Sequence, residues 1–177
     1  MEVLAAIAAR RMHRSFDGSP VDPAVVERLV DAAARAPMAA NVGVRRIVVV
    51  TDPAILRTLR QVTPGLTADP PVLLALCTDL AQAELQTGAH GRDISSWIDA
   101  GAAAENVALA ALELGLGVCF ARSCNDAALR IVLALPPEVR PDILVGVGHP
   151  TARGSATSRR PATPVYRDQY GTPWEVG

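Results

Sequence analysis

Seventeen cations lie in this chain, and every one is an arginine. Without lysine there is no Schiff-base catalysis, no pyridoxal phosphate linkage and no P-loop lysine. Arginine has its own use: a planar fork that grips a phosphate through parallel hydrogen bonds. Arg10, Arg11 and Arg14 place three guanidiniums within five residues. They repel one another unless something anionic lies between them. The cluster reads either as a solvated basic turn or as a phosphate site, and Arg159 and Arg160 add a second basic pair far along the chain.

Competing chemistries find little material. Cys77, Cys119 and Cys124 are odd in number and form no CxxC pair, so neither a disulfide framework nor a zinc site is expected. His13, His90 and His149 lie far apart in sequence and make no HExxH pattern. No catalytic triad or carboxylate pair is visible. A net charge of −1 lacks the basic footprint of a nucleic-acid binder, and 3% aromatic residues cannot supply a stacking platform for single strands. The longest charge-free stretch, Ile143–Ala152, has ten residues, whereas a membrane span needs about 20. Val3–Ala9 is too short for a signal peptide, and arginines follow it rather than precede it. A soluble, cytoplasmic protein is the expectation.

The elements that must position the arginines follow from periodicity and punctuation. With 177 residues, half of them hydrophobic, one domain is expected. Residues 2–10 read as a short helix ending in Arg10 and Arg11. Asp22 caps a second helix with Pro23 at its first position; Val25, Val26, Leu29, Val30 and Ala33 share one face, and it stops near Pro37. Arg46–Thr51 is a β-branched strand. Asp52 and Pro53 open a third helix, with Ile55, Leu56 and Leu59 facing inward. Pro71–Asp79 is a continuous apolar run, as in a strand buried on both faces. Residues 80–93 are polar, carry Gly88 and Gly91, and read as a loop or short helix over a site. Ile94–Leu114 is the longest helical pattern, about 30 Å at 1.5 Å per residue. Its small residues Ala100, Gly101, Ala104 and Ala108 suit close approach of another helix. A strand around Val118–Arg122, a helix capped by Asn125 or Asp126 and running through Leu135, and a strand Asp142–Gly148 complete the set.

Residues 1–150 thus form the folded unit and 151–177 an arm of the same domain. The arm has few aliphatic residues but carries Tyr166, Tyr170 and Trp174. It wraps its own domain or embraces a partner subunit, and the partner is favoured. Neither Gly-x-Gly motif fits a dinucleotide fingerprint. Gly115-Leu116-Gly117 follows a helix instead of a strand, and Gly146-Val147-Gly148 leads into His149-Pro150 instead of a helix. A helix C-cap and a tight strand exit account for them.

Four stretches in register resemble one family. Arg10-Arg11-Met12-His13-Arg14-Ser15-Phe16-Asp17 with Pro20-Val21 is similar to the opening of the FMN-dependent nitroreductases. Ala34-Arg35-Ala36-Pro37-Met38-Ala39-Ala40-Asn41, with the strand ending in Val50-Thr51-Asp52-Pro53, resembles the second motif of that family. Asp99 through Asn106, leading to Gly115-Leu116-Gly117, looks like its central dimer helix and flavin loop. Leu135-Pro136 and Gly146 through Pro150 resemble its closing strand.

The resemblance implies an α+β fold, a nitroreductase-like mixed sheet flanked by helices, with the C-terminal extension wrapping the partner subunit. It implies a homodimer holding two FMN molecules at its interface, with NAD(P)H as electron donor and a nitroaromatic, quinone or similar small molecule as acceptor. Position by position, Arg10, Arg11 and Arg14 match contacts to the FMN phosphate and ribityl, and Arg159 or Arg160 a second phosphate contact. Asn41, with Gly43 beside it, matches a flavin-edge residue delivered from the opposite subunit. Phe120–Ser123, including Ala121 and Arg122, matches the segment whose backbone N–H groups face the reactive side of the ring, positioned by the Gly115-Leu116-Gly117 turn. No side chain is implied as a general acid. Two departures stand out. Met12 replaces a serine, removing one phosphate hydrogen bond. Gly43-Val44-Arg45 replaces a Gln-Pro-Trp-like run, losing a ring contact and putting an arginine where a core aromatic belongs. Related fold members that desaturate peptides or azolines, or fragment reduced flavin, are the alternative, as is a flavin or nucleotide binder without turnover.

Overall fold

The computed structural model describes residues 2–151 and 163–174. Arg159 and Arg160 fall outside the described residues.

Among the described residues, six α-helices and four strands follow one another: α1 (Val3–Ala9), α2 (Pro23–Ala34), β1 (Arg45–Val50), α3 (Pro53–Val62), β2 (Val72–Asp79), α4 (Leu80–His90), α5 (Ser96–Glu113), β3 (Gly117–Ala121), α6 (Asp126–Val132) and β4 (Val139–Gly148). The strands form one sheet in the order β1-β2-β4-β3, with every neighbouring pair antiparallel. The mixed character expected of the sheet is confined, among the described residues, to one parallel bridge between Met12 and Val118.

Helices cover both faces of this sheet. On one side Val72, Leu74, Leu76, Val118, Val145 and Val147 pack against α2 and α5. On the other, Leu73, Ala75, Cys77, Cys119, Ala121 and Leu144 meet α3 and α6. Successive side chains of a strand point to opposite faces. The unbroken apolar run of β2 therefore feeds both cores, and Val72 through Cys77 are all at most 2% exposed. Ile55 was expected inward with Leu56 and Leu59. It is 39% exposed instead, because α3 turns only its Leu56–Leu59 side to the sheet.

The helix starts are chemical. The carboxylate of Asp22 accepts from Ala24 N, that of Asp52 from Ala54 N and Ile55 N, and that of Asp79 from Gln82 N. Residues 80–93 are mostly helical rather than a loop, since Asp79 caps α4. A π-turn over Gly91–Ser95 then separates α4 from α5, so the long helix begins at Ser96 and not at Ile94. It ends where Gly115, at φ 74°, lets Leu116 N bond back to Ala111 O at 2.8 Å. The stripe of small residues on α5 turns inward: Ala100, Ala104 and Ala108 are buried against the sheet and α2, and only Gly101 faces out. Their size serves close packing inside the subunit. A bulge opposite Leu76–Cys77 lengthens β4 backward to Val139 and turns Asp142 into the interior. α6 stops at Val132, short of Leu135.

Residues 163–174 form an exposed turn. Tyr166 bridges Pro173, the Tyr166 and Tyr170 rings lie 4.6 Å apart, and the Arg167 guanidinium sits 4.9 Å above Trp174. Tyr170 is 91% exposed.

Leu74 is fully buried at the centre of the sheet. Leu74→Ala is expected to cost about 2–5 kcal/mol of folding stability, read as a lower urea midpoint at unchanged slope.

Candidate functional site

Arg10 caps the C-terminus of α1, and the chain beyond it runs extended along the edge of the sheet. His13 N donates to Val118 O at 2.8 Å, and Asp17 N to His149 O at 3.0 Å. Phe16 bridges Pro150, and Thr151 Oγ1 donates to Ser15 Oγ at 2.7 Å. Residues 12–17 are thus stitched between the start of β3 and the exit of β4, and the tail departs from beside Ser15. Gly117 makes this possible. A Cβ there would fall 2.7 Å from the His13 ring and 3.1 Å from Pro150.

The three arginines do not need an external anion to coexist. Arg10 Nε lies 2.7 Å from Glu105 Oε1 of α5, an ionic contact out of line for a hydrogen bond, which leaves that buried nitrogen without a hydrogen-bond partner. Arg11 Nη1 folds back onto Ala8 O and Arg10 O at 2.7 and 2.8 Å, closing the end of α1. Arg14 is exposed and makes no ion pair among the described residues. His13 Nδ1 is buried and also lacks a hydrogen-bond partner there. Burial lowers the His13 imidazole from its ordinary value, which favours its neutral form at pH 7.

Asn41 and Gly43 lie in a loop of unusual backbone. Ala40, Asn41 and Gly43 all have positive φ, at 50°, 54° and 67°. Left-handed geometry costs about 1–2 kcal/mol per non-glycine residue, so other contacts must impose it. Ala39 N donates to Asp99 Oδ2 at 3.0 Å. The Arg45 guanidinium, half-buried where an aromatic was expected, donates to Ala33 O at 2.8 Å and to Pro37 O and Asp99 O at 3.1 Å each. It closes the end of α2 and ties it to α5. Asn41 itself is exposed.

This loop and Arg10 sit on different flanks of α5. Their anchors, Asp99 and Glu105, are six residues apart, about 9 Å along the helix and about 120° around it. Within one chain, α5 stands between the two groups.

Ala121 and Arg122 close the far end of β3. Ala121 is buried. Arg122 is pinned to Asp126 by contacts of 2.9 and 3.2 Å and lies 5.0 Å above the Trp97 ring, which carries Arg140 at 3.9 Å. The Arg122 charge holds the Asp126 carboxyl below its usual range. Asp142, buried beneath, accepts from Thr78 Oγ1 and Arg140 Nε, both at 2.6 Å; burial nevertheless pushes its carboxyl up. The Gly115-Leu116-Gly117 turn does not support this loop. It lies at the opposite end of β3, where it supports His13.

Burial pushes the Cys77 thiol up to about 12 and the Cys119 thiol up to about 11, and Cys124 is raised as well. All three stay protonated and offer no nucleophile. Sequence reasoning missed Arg46, Asp79, Gln82 and Trp97. The signal was present in the Arg45-Arg46 pair opening a strand: alternation sends two half-buried guanidiniums to opposite faces.

Among the described residues, an α+β layered fold carries a basic segment stitched to the edge of its sheet. The chain belongs to the nitroreductase family, whose sequence model matches residues 7–65 and 60–149, and it is accordingly an oxidoreductase. It is 28% identical over 181 residues to the FMN reductase (NADPH) of Bacillus subtilis, covering 92% of this chain and 71% of that one. It is 28% identical over 190 residues to the NADH dehydrogenase of Thermus thermophilus, covering 91% and 93%. The fold matches a crystal structure of a nitroreductase family protein from Streptococcus pneumoniae TIGR4 with a TM-score of 0.80 at 21% identity, covering 90% and 96%. No helix among the described residues is long and apolar enough to cross a membrane.

His13 has a depressed pKa in the folded state. Its contribution to stability is therefore present above the ordinary value of 6.5 and lost as pH falls below it. Urea titrations of the wild type and His13→Gln should show the wild type losing stability relative to the variant between pH 7 and pH 5. A constant difference across that range would contradict a buried neutral imidazole.

Proposed function

We propose that this chain binds FMN at a site shared between two copies, and with it passes electrons from NADH or NADPH to a small acceptor such as a nitroaromatic or a quinone. The observation that carries the reading is the Arg10–Arg14 segment. It carries Arg14, exposed and without an ion pair among the described residues, one residue from the buried His13 Nδ1, which lacks a hydrogen-bond partner there. A phosphate monoester suits this place, because its oxygens accept charge-assisted hydrogen bonds from an exposed guanidinium such as that of Arg14. Arg10, Arg11 and Arg14 would hold the phosphate. Arg159 or Arg160, eight and nine residues beyond Thr151 in the sequence, would supply a second phosphate contact. When bound, FMN supplies a two-electron carrier that accepts hydride from the nicotinamide and returns it to the acceptor.

The chain's own residues do the binding and orienting. The Phe120–Ser123 segment would offer backbone N–H groups to one side of the ring, and Asn41 with Gly43 would meet its edge from a second copy. Placement on different flanks of α5 supports the two-copy reading. So do the apolar side chains turned outward on α1 and α5: Val3, Leu4 and Ile98 are each at least 68% exposed, a surface that a monomer leaves wet. The exposed aromatic turn at 163–174 supports an arm that packs on a partner. The names of the relatives support the nicotinamide donor, and donor and acceptor would occupy the ring face in turn.

Arg14→Ala should weaken FMN binding at least tenfold, since one charge-assisted hydrogen bond contributes about 1.5–3 kcal/mol. Flavin fluorescence quenching measures it, and an unchanged Kd refutes the phosphate assignment. Anaerobic NADH or NADPH should bleach the visible flavin band of the purified protein; persistence of the band with both donors refutes reductase chemistry. Removal of residues 161–177 should lower the melting temperature and FMN occupancy, both more severely at low protein concentration. Concentration-independent values would contradict a partner-bound arm.

A further inference from the structure

The loop that carries Asn41 is held in its left-handed geometry from two sides, and the second side has no counterpart in the function read so far. Arg46 points to the face of β1 opposite Arg45. Its Nη1 donates to Gly43 O at 2.8 Å and to Arg45 O at 3.1 Å. Its Nη2 donates to Asp79 Oδ2 at 2.9 Å and Gln82 Oε1 at 2.7 Å. Gln82 Nε2 reaches back to Val42 O at 3.4 Å. The other carboxylate oxygen of Asp79 caps α4 through Gln82 N. One guanidinium therefore connects the Val42–Gly43 turn to the first turn of α4.

We propose that Arg46 is a positioning residue for the flavin site, fixing where Asn41 meets the ring edge by clamping the Val42–Gly43 turn onto α4. The inference rests on the reading that Asn41 borders the flavin. Its physical content is the cost of the loop. Two non-glycine residues in left-handed conformation relax unless surrounding contacts over-determine them. Arg45 and Asp99 secure the entry of the loop at Ala36–Ala39. Among the described residues, Arg46 grips Gly43 O and Gln82 grips Val42 O, the carbonyls just after Asn41. A planar fork suits the task because it spans a peptide carbonyl, a carboxylate and an amide oxygen at once. A lysine at this place keeps the charge but cannot span all three. Because Asn41 is a hydrogen-bonding group, its exact height matters to the ring's electronic state, which differs between oxidised and reduced flavin.

The test compares wild type with Asn41→Ala, Arg46→Met and Arg46→Lys, each as the FMN-loaded protein. The readouts are Kd for FMN, midpoint potential and melting temperature. Arg46→Met should change the ratio of oxidised- to reduced-flavin affinity in the same direction as Asn41→Ala, by severalfold up to about tenfold, which is about 30 mV for a two-electron couple. Arg46→Lys should move the same way by less. A purely structural role for Arg46 would lower the melting temperature and occupancy while leaving the potential of the bound flavin unmoved, and that outcome overturns the proposal. If Asn41→Ala shifts the potential and neither Arg46 variant does, positioning by Arg46 fails while the flavin-edge reading stands. If Asn41→Ala leaves both Kd and potential unchanged, the flavin-edge reading fails and the proposal falls with it. Should Arg46→Met not fold, Arg46→Lys carries the comparison alone, and an unmoved potential in it overturns the proposal.

Discussion

One backbone hydrogen bond, from His13 N to Val118 O, decides where the basic segment lies. It seats an extended stretch of chain on the outer edge of β3, and everything the arginines can do follows from that seat. It needs a bare backbone at Gly117, because any side chain there would collide with the His13 ring. It needs α1 to stop at Arg10. It also needs β4 to end level with β3, so that Pro150 and Thr151 can pair with Phe16 and Ser15. An edge strand with unpaired amides and carbonyls invites association. Here the chain's own N-terminal segment takes up part of that edge.

Guanidiniums do the structural work that lysines and aromatics share in other proteins. Arg11 closes α1, Arg45 closes α2 and ties it to α5, and Arg130 gathers Pro136 O, Pro137 O and Val139 O at the entry to β4. Arg140 and Arg122 bracket Trp97 above a buried Asp142. Arg11, Arg45 and Arg130 each bind carbonyls where a helix ends or a strand begins. A guanidinium carries five donors and stays charged, so it can satisfy several carbonyls at once. Arg14 differs from these, since it is exposed and has none of these duties among the described residues, as is also true of Arg28 and Arg57.

Much of the architecture was legible in the sequence because its signals are local. Asp22-Pro23 and Asp52-Pro53 announce capped helices, and the apolar run Val72–Cys77 announces a strand covered on both faces. The family resemblance placed the basic segment and the Asn41 loop. What was not legible depends on tertiary contact. The inward turn of Ala100, Ala104 and Ala108 could not be told from an outward stripe, since small residues suit either. Residues 80–93 read equally as a loop or a short helix, and the Asp79 cap that decides for the helix was not recognised. The bulge that buries Asp142 is a matter of register with β2. Relief of repulsion among Arg10, Arg11 and Arg14 comes from Glu105, more than ninety residues away in sequence. The two roles of Arg45 and Arg46 likewise needed the fold.

The proposed site holds flavin on the Arg10–Arg14 segment of one chain and is completed by a second. Sedimentation velocity of the purified protein, recorded both at the protein band and at the visible flavin band, tests this directly. All bound flavin should sediment with a two-chain species at one FMN per chain, and dilution should release flavin as the dimer dissociates. Flavin travelling at full stoichiometry with a single-chain species would contradict it.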